Sequence, residues 1–254
     1  MLKLSWGIYL SVQLLTAAPL YAQDVARWMV EARQAEKNFQ DPEALSKYLD
    51  IVKVQPHHLV ALCRASELSS KIGKRFSEFA QQKNYFRQAQ RLAERALEVN
   101  PQDAEANFVM SVALGRMALI ASGEDKVKAV KDIKKYAERS IRLDPGNYKG
   151  YHVLGKWHYE VSSLTVWERW LVKLAFGAFP EATFAESIRN YEISRKLNPA
   201  LLLNYLEEAK ACYKIDDKRK ALELLRIIPA LPNYSSDDPQ IRQEAGKLLQ
   251  KWKN

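Results

Sequence analysis

The chain has 254 residues, of which 47% are hydrophobic, and its 39 basic against 30 acidic side chains leave a formal net charge of +9. That is enough apolar material for a sizeable core in one or two domains. Nine glycines and ten prolines are too few turn formers for a sheet-rich fold, and the positive balance suits an anionic partner without naming one.

In chain order, Lys3 is followed by an apolar run from Leu4 to Leu20, and Tyr21-Ala22 then meets Gln23-Asp24. A short basic start, an apolar stretch and a small residue at the cut describe a secretory signal peptide. The expectation is therefore a leader over residues 1–22, cleaved after Ala22, and an exported mature chain with one domain over 23–254. The run is about 17 residues long and holds Gln13 and Pro19, which is short for a membrane span; an N-terminal anchor is the alternative. Cys63 and Cys212 lie far apart in the chain and are expected as buried free thiols rather than a disulfide.

Four prolines then recur in similar settings: Gln55-Pro56, Asn100-Pro101, Asp144-Pro145 and Asn198-Pro199. Each follows an amphipathic stretch, as a residue that cannot continue a helix should. Counting back from each, the same three positions hold Ala44, Tyr48 and Ile51; Ala89, Ala93 and Ala96; Ile133, Ala137 and Ser140; and Ser187, Tyr191 and Ser194. One close-packing stripe on every second helix, with a proline five residues on, resembles the tetratricopeptide pattern of stacked helix pairs. The fold class expected is an all-α solenoid of about five pairs, at 25–58, 59–103, 104–147, 148–201 and 202–235. A capping helix at 238–253 opens on Asp238-Pro239 as N-cap and first turn.

The proline spacings are 45, 44 and 54, longer than the 34 residues of a plain unit. Pairs two, three and four therefore carry lengthened helices or insertions. Thr165-Val166-Trp167-Glu168 reads as a capping box, followed by Trp167, Trp170, Leu171 and Leu174 at helical spacing; Thr183-Phe184-Ala185-Glu186 is a second capping box. A short aromatic helix is thus expected between the two helices of pair four, as packing or as a wall for a groove. With His152-Val153-Leu154-Gly155-Lys156-Trp157-His158-Tyr159, Trp167, Phe176, Pro180, Thr183 and the run Tyr191–Pro199, the chain resembles the regulator of microtubule dynamics family over roughly Val60 to Trp252. The resemblance implies a tetratricopeptide-like solenoid without known enzyme chemistry. It also implies partners of the kind met by members that associate with microtubules or sit at organelle contacts; one branch binds phospholipids.

Catalytic and metal constellations are not evident. His57-His58 diverge on a helix, His152 and His158 leave one face, and CxxC, HExxH, Walker and G-x-S-x-G motifs are missing. His158 falls on a packing position, so a core histidine is expected; no cofactor and no metal are called for. Arg87, Arg91 and Arg95, then Lys131, Lys135, Arg139 and Arg142, form basic stripes on outward-facing second helices. Aromatics do not interleave with them, so nucleic acid is not expected.

On the first helices, cations recur at inner positions: Arg33 and Lys37, Lys71, Arg116, Lys156, then Lys210 and Lys214. Met29, Phe108, Val112, Tyr159, Leu206 and Tyr213 share that face, and Glu67 and Glu160 offer internal ion pairs. The expected groove, Arg33, Phe108, Arg116, Lys156, Tyr159, Leu206, Lys210 and Tyr213, with Trp167, Trp170 and Leu174 beside it, suits a protein or peptide partner. An anionic lipid or other amphiphile is the alternative. Lys156 and Lys210 are read as surface cations whose reversal leaves folding nearly intact.

Overall fold

A computed structural model describes residues 23–165, 168–169, 173 and 181–253. The expected leader at 1–22 and the expected groove wall of Trp167, Trp170 and Leu174 lie outside the described residues. Among those described, helices pair in succession and none is in a strand. The first pair is α1 (residues 23–37) with α2 (Asp41–Val54). It is followed by α3 (Leu59–Gly73) with α4 (Phe79–Val99), and α5 (Ala104–Ala118) with α6 (Gly123–Leu143). Then come α7 (Tyr148–Ser162) with α8 (Phe184–Leu197), α9 (Leu202–Lys214) with α10 (Lys218–Ile227), and a closing α11 (Asp238–Lys253). No helix of the described residues is long and apolar enough to cross a membrane.

The prolines end the second helices for a local reason. A residue before proline is pushed out of the helical region by the ring. Asn100, Asp144 and Asn198 accordingly turn extended, and Gln55 leaves the helical region too. Each still donates its N–H to the last stripe residue, respectively Ala96, Ser140, Ser194 and Ile51. Two or three residues on, Asp103 and Asn147 reopen the chain as N-caps: Asp103 Oδ1 accepts from Ala106 N at 2.7 Å and Asn147 Oδ1 from Lys149 N at 3.2 Å. The extra residues of pairs two and three go largely into length. α4 and α6 have 21 residues each, against 14 in α2 and α8.

All twelve stripe residues are buried. Their small size brings helices close enough for hydroxyls to bond backbone across a helix contact: Ser66 Oγ to Ala89 O, Ser140 Oγ to Ala104 O and Ser187 Oγ to Gly155 O, at 2.7–2.8 Å. Gly155 is needed there, because a Cβ at that point would stand 2.8 Å from the Tyr191 ring. One core cluster runs from Val25 to Val161 and a second from Leu202 to Ala245. Cys63 and Cys212 are buried and free, and burial pushes both thiols up, that of Cys212 to about 12. His158 is likewise core, edge-on to Trp157 with ring centroids 5.0 Å apart, and burial lowers its pKa.

The first capping box forms in full, with Glu168 N reaching Thr165 Oγ1 at 3.3 Å while Glu168 Oε2 accepts from Thr165 N; at the second, Thr183 Oγ1 caps Glu186 N at 3.0 Å. The entry to α11 differs from the expected cap. Asp237 O takes the first turn's Ile241 N–H, whereas the Asp238 carboxylate folds back to accept from Tyr234 N and Ser235 N.

Candidate functional site

The first helices α3, α5, α7 and α9 touch one another in succession and line the inner face of the solenoid. A ladder of ion pairs crosses them. Arg64 on α3 holds Glu36 of α1 and, at 2.5 Å, Glu67. Lys149, at the start of α7, spans two further helices, reaching Glu67 at 3.2 Å and Glu105 of α5 at 2.6 Å. Farther along, Lys156 and Lys210 close on Glu207 of α9 at 2.7 and 2.8 Å, and Lys210 also meets Glu244 of α11 at 2.8 Å.

The fields are strong because the face is partly dry. Burial would raise the Glu207 carboxyl, yet Lys156 and Lys210 more than offset it and hold the pKa at about 2. Burial likewise works against Glu67, which Lys149 and Arg64 pull down. Glu105 stays raised, since burial and the Glu67 charge outweigh its lysine. His152 of α7 is pushed down by burial, and its Nδ1 lies 2.9 Å from Asn204 Oδ1.

The residues expected to form a groove therefore divide. Arg33 is exposed, as are Lys37 and Lys214. Lys71 is paired with Asp41 at 3.1 Å, and Lys156 and Lys210 are clamped rather than free. Leu206 is only 1% exposed and belongs to the second core, so it is not a groove residue. Phe108 is also core, and Lys149 covers its ring at 4.9 Å. Tyr213 is roofed by Trp252 of α11, stacked at 4.0 Å and 9°. Tyr159 remains half-exposed, between Lys156 and the edge of Phe184.

Arg116, in the last turn of α5, stands apart. Among the described residues no carboxylate lies within ion-pair distance of it, and its Nε is out of solvent without an acceptor. Burial depresses its pKa, and Asp237 offsets this in part. A guanidinium cannot escape by losing its proton, so this cation stays charged without a paired carboxylate among the described residues.

Sequence reading missed the segment that supplies Asp237. Residues 231–237, between α10 and α11, cross back over the inner face as a strap. Asp237 Oδ1 accepts from Arg75 Nε at 2.8 Å, Ser236 Oγ donates to Asp41 Oδ2 at 2.5 Å, and the Tyr234 and Tyr148 hydroxyls meet at 2.6 Å. Asp41, at the start of α2, is 2% exposed and gathers Ser236, Arg75 and Lys71. Burial opposes its charge, and those three donors together keep its carboxyl low. A cavity of about 400 Å³ adjoins the strap, lined by Lys74, Arg75, Leu203, Glu207, Asp237 and Glu244 among others. No local signal marks these contacts, whose partners stand 86 to 195 positions apart.

The family model for regulator of microtubule dynamics protein 1–3 matches residues 28–253. The chain belongs to this family. Regulator of microtubule dynamics protein 1 of Bos taurus is 25% identical over 225 residues, covering 88% of this chain and 69% of that protein. Protein 3 of Xenopus laevis is 28% identical over 175 residues, covering 68% of this chain and 38% of its own length. The chain thus spans well under half of that second relative. Among solved structures, a thermophilic tetratricopeptide protein of Thermus thermophilus superposes with a TM-score of 0.64 at 12% identity, covering 89% of this chain and 99% of its own. Pseudomonas aeruginosa pilF gives 0.52, also at 12% identity, with 91% and 92% covered. The molecule is a tetratricopeptide-like helical scaffold of the regulator of microtubule dynamics family.

Proposed function

We propose that the chain binds an extended acidic segment of a protein partner along its inner face, with Arg116 as the central anion receptor. The observation that carries this reading is the unpaired guanidinium. Arg64, Lys71, Lys149, Lys156 and Lys210 each have a carboxylate at ion-pair distance, and Arg33, Lys37 and Lys214 stand in water. Arg116 alone of the inner cations is half-buried, with its guanidinium Nε shut off from water, and has no carboxylate at ion-pair distance among the described residues. A partly desolvated charge without a partner is costly, and a partner carboxylate would supply the missing charge-assisted hydrogen bond at Nε.

A peptide fits this face better than an amphiphile. Phe108 and Leu206, the side chains that would have greeted an acyl chain, are turned into the core. What remains on the surface is mainly a row of charges and hydrogen-bonding groups, with Tyr159 half-exposed among them. The partner of the family name, the microtubule, is one acidic protein surface to which the reading extends; export of the mature chain would exclude it.

Fluorescence anisotropy with a labelled ten-residue Ser/Asp/Glu peptide tests the reading. The wild-type chain from residue 23 should bind it, bind the matching Ser/Lys peptide at least tenfold more weakly, and lose at least tenfold in affinity on Arg116→Gln. Equal binding by wild type and Arg116→Gln would overturn the assignment. So would a preference for vesicles of anionic phospholipid that the acidic peptide does not compete away.

A further inference from the structure

The geometry points to the strap as an internal stand-in for the partner: residues 233–237 occupy the acid-binding end of the inner face, and an acidic segment of the partner binds by displacing them. This rests on the reading of Arg116 given above and extends it to regulation and to the chemistry of the partner.

Three features support it. First, the strap carries the partner chemistry. Its run Asn233-Tyr234-Ser235-Ser236-Asp237 ends on an acid and is rich in hydroxyls. Asp237 is the group it extends to Lys74 and Arg75, and the Asp237 charge is the one that reaches Arg116. Asp237 pairs with Arg75 and not with Arg116, so a longer acidic segment would satisfy both guanidiniums where the strap satisfies one.

Second, the strap is held to the rest of the inner face by few, polar and partly exposed contacts. Tyr234 is exposed and meets Tyr148 by one hydroxyl bond; Ser236 and Asp237 make the remaining reach to Asp41, Lys74 and Arg75. No apolar side chain from the stretch 232–237 joins the core. Segments with few buried apolar contacts open at low cost.

Third, the strap can let go without unfolding its flanks. Its own shape is set from behind, where Arg242 of α11 donates to Leu231 O and Asn233 Oδ1, and Asp238 takes the Tyr234 and Ser235 amides. After release, Asp41 keeps Lys71 and Arg75 as partners. The cavity beside the strap gives an incoming chain room to start.

A site filled by its own chain shows an affinity lowered by the fraction of time it is open. Unhooking the strap should therefore tighten binding without adding a contact. The variant Ser236→Ala/Asp237→Ala removes both reaches and leaves the Arg242 and Asp238 bonds in place. It should bind the labelled Ser/Asp/Glu peptide at least tenfold more tightly than wild type, and adding Arg116→Gln should remove that gain. Unchanged affinity in a folded unhooked variant overturns the strap while leaving the Arg116 reading intact; no binding by either protein overturns both.

A shift of the unhooked variant to a dimer in light scattering, with no gain for the peptide, also overturns it, because a second copy is then the occupant. Hydrogen exchange on wild type gives a reading that needs no variant. Saturation with the peptide should speed exchange of the Ser236 and Asp237 amides and leave the α9 amides unchanged. Strap amides that slow or stay constant at saturation contradict displacement.

Discussion

The inner and outer faces of this solenoid carry similar cations at helical spacing and use them differently. On α4 and α6, Arg87, Arg91, Lys135 and Arg142 are exposed, and among the described residues none has a carboxylate at ion-pair distance; Lys135 rests over its neighbour Tyr136. On α3, α7 and α9, Arg64, Lys149, Lys156 and Lys210 are each gripped by two carboxylates, several of them from a different helix pair. Recurrence of a cation thus says little by itself about binding. What separates the two faces is whether the adjacent helices place acids within reach and how much water is left between them.

The largest effect expected from the packing side is Ala93→Arg. Ala93 is fully buried in the α4 stripe, so a buried, unpaired charge and overpacking should together cost about 3–5 kcal/mol. Arg91→Ala, two residues away on the exposed face, should stay within about 0.5 kcal/mol. Denaturant midpoints that coincide for the two would break the assignment of faces.

Next comes the reversal Lys156→Glu with Lys210→Glu. Read as surface charges, these lysines should be nearly silent. Bracketing Glu207, their reversal gathers three carboxylates on one partly buried spot and should cost about 3 kcal/mol or more. The outer pair Lys135→Glu with Arg139→Glu should change stability by less than about 1 kcal/mol. Similar losses from both pairs would erase the contrast between the faces.

The acid response sharpens the same point. Glu207 has its folded-state pKa depressed from 4.5 to about 2. A carboxyl of this kind stabilises the fold fully above its unfolded value, and that stability drains away as pH falls from near 4.5 through about 2. The shift corresponds to on the order of 3 kcal/mol. Urea melts of wild type and Glu207→Gln should differ most near neutral pH and converge near pH 2; a pH-independent gap would mean the clamp is not electrostatic. Smaller still, Tyr234→Phe removes one exposed hydroxyl contact and should cost no more than about 1 kcal/mol.

Much of the fold was legible because its signals are local. Pro56, Pro101, Pro145 and Pro199 act on the residue before them, and the stripes such as Ala89-Ala93-Ala96 need only their own helix to be read. The inner face was less legible. Leu206 and Glu207 are adjacent, and a helix turns about 100° per residue, so a small error of register exchanged a core leucine for the acid that organises α7, α9 and α11. Phe108 was misplaced for a related reason, since a first helix in this fold is covered on two sides and buries more than one stripe.

Glu67 and Glu160 were readable as ion-pair candidates, and both pair, with Arg64 and Lys149 and with Lys156. The strap was not readable. Arg75 and Asp237 are 162 residues apart, and their meeting depends on the accumulated rotation of several helix pairs, which no single segment encodes. The leader and the aromatic insertion remain expectations from sequence. Intact mass of the exported protein, expected to begin at Gln23, checks the first.

The contrast between clamped inner cations and solvated outer ones is tested most directly by a double-mutant cycle on Lys210 and Glu207, using Lys210→Met, Glu207→Gln and the pair, with urea denaturation at pH 7. The clamp predicts a coupling of about 1–3 kcal/mol, falling toward zero when the cycle is repeated near pH 2, where Glu207 is half protonated or more. A coupling below about 0.3 kcal/mol at pH 7 would contradict it, leaving the inner lysines no different from those on the outside.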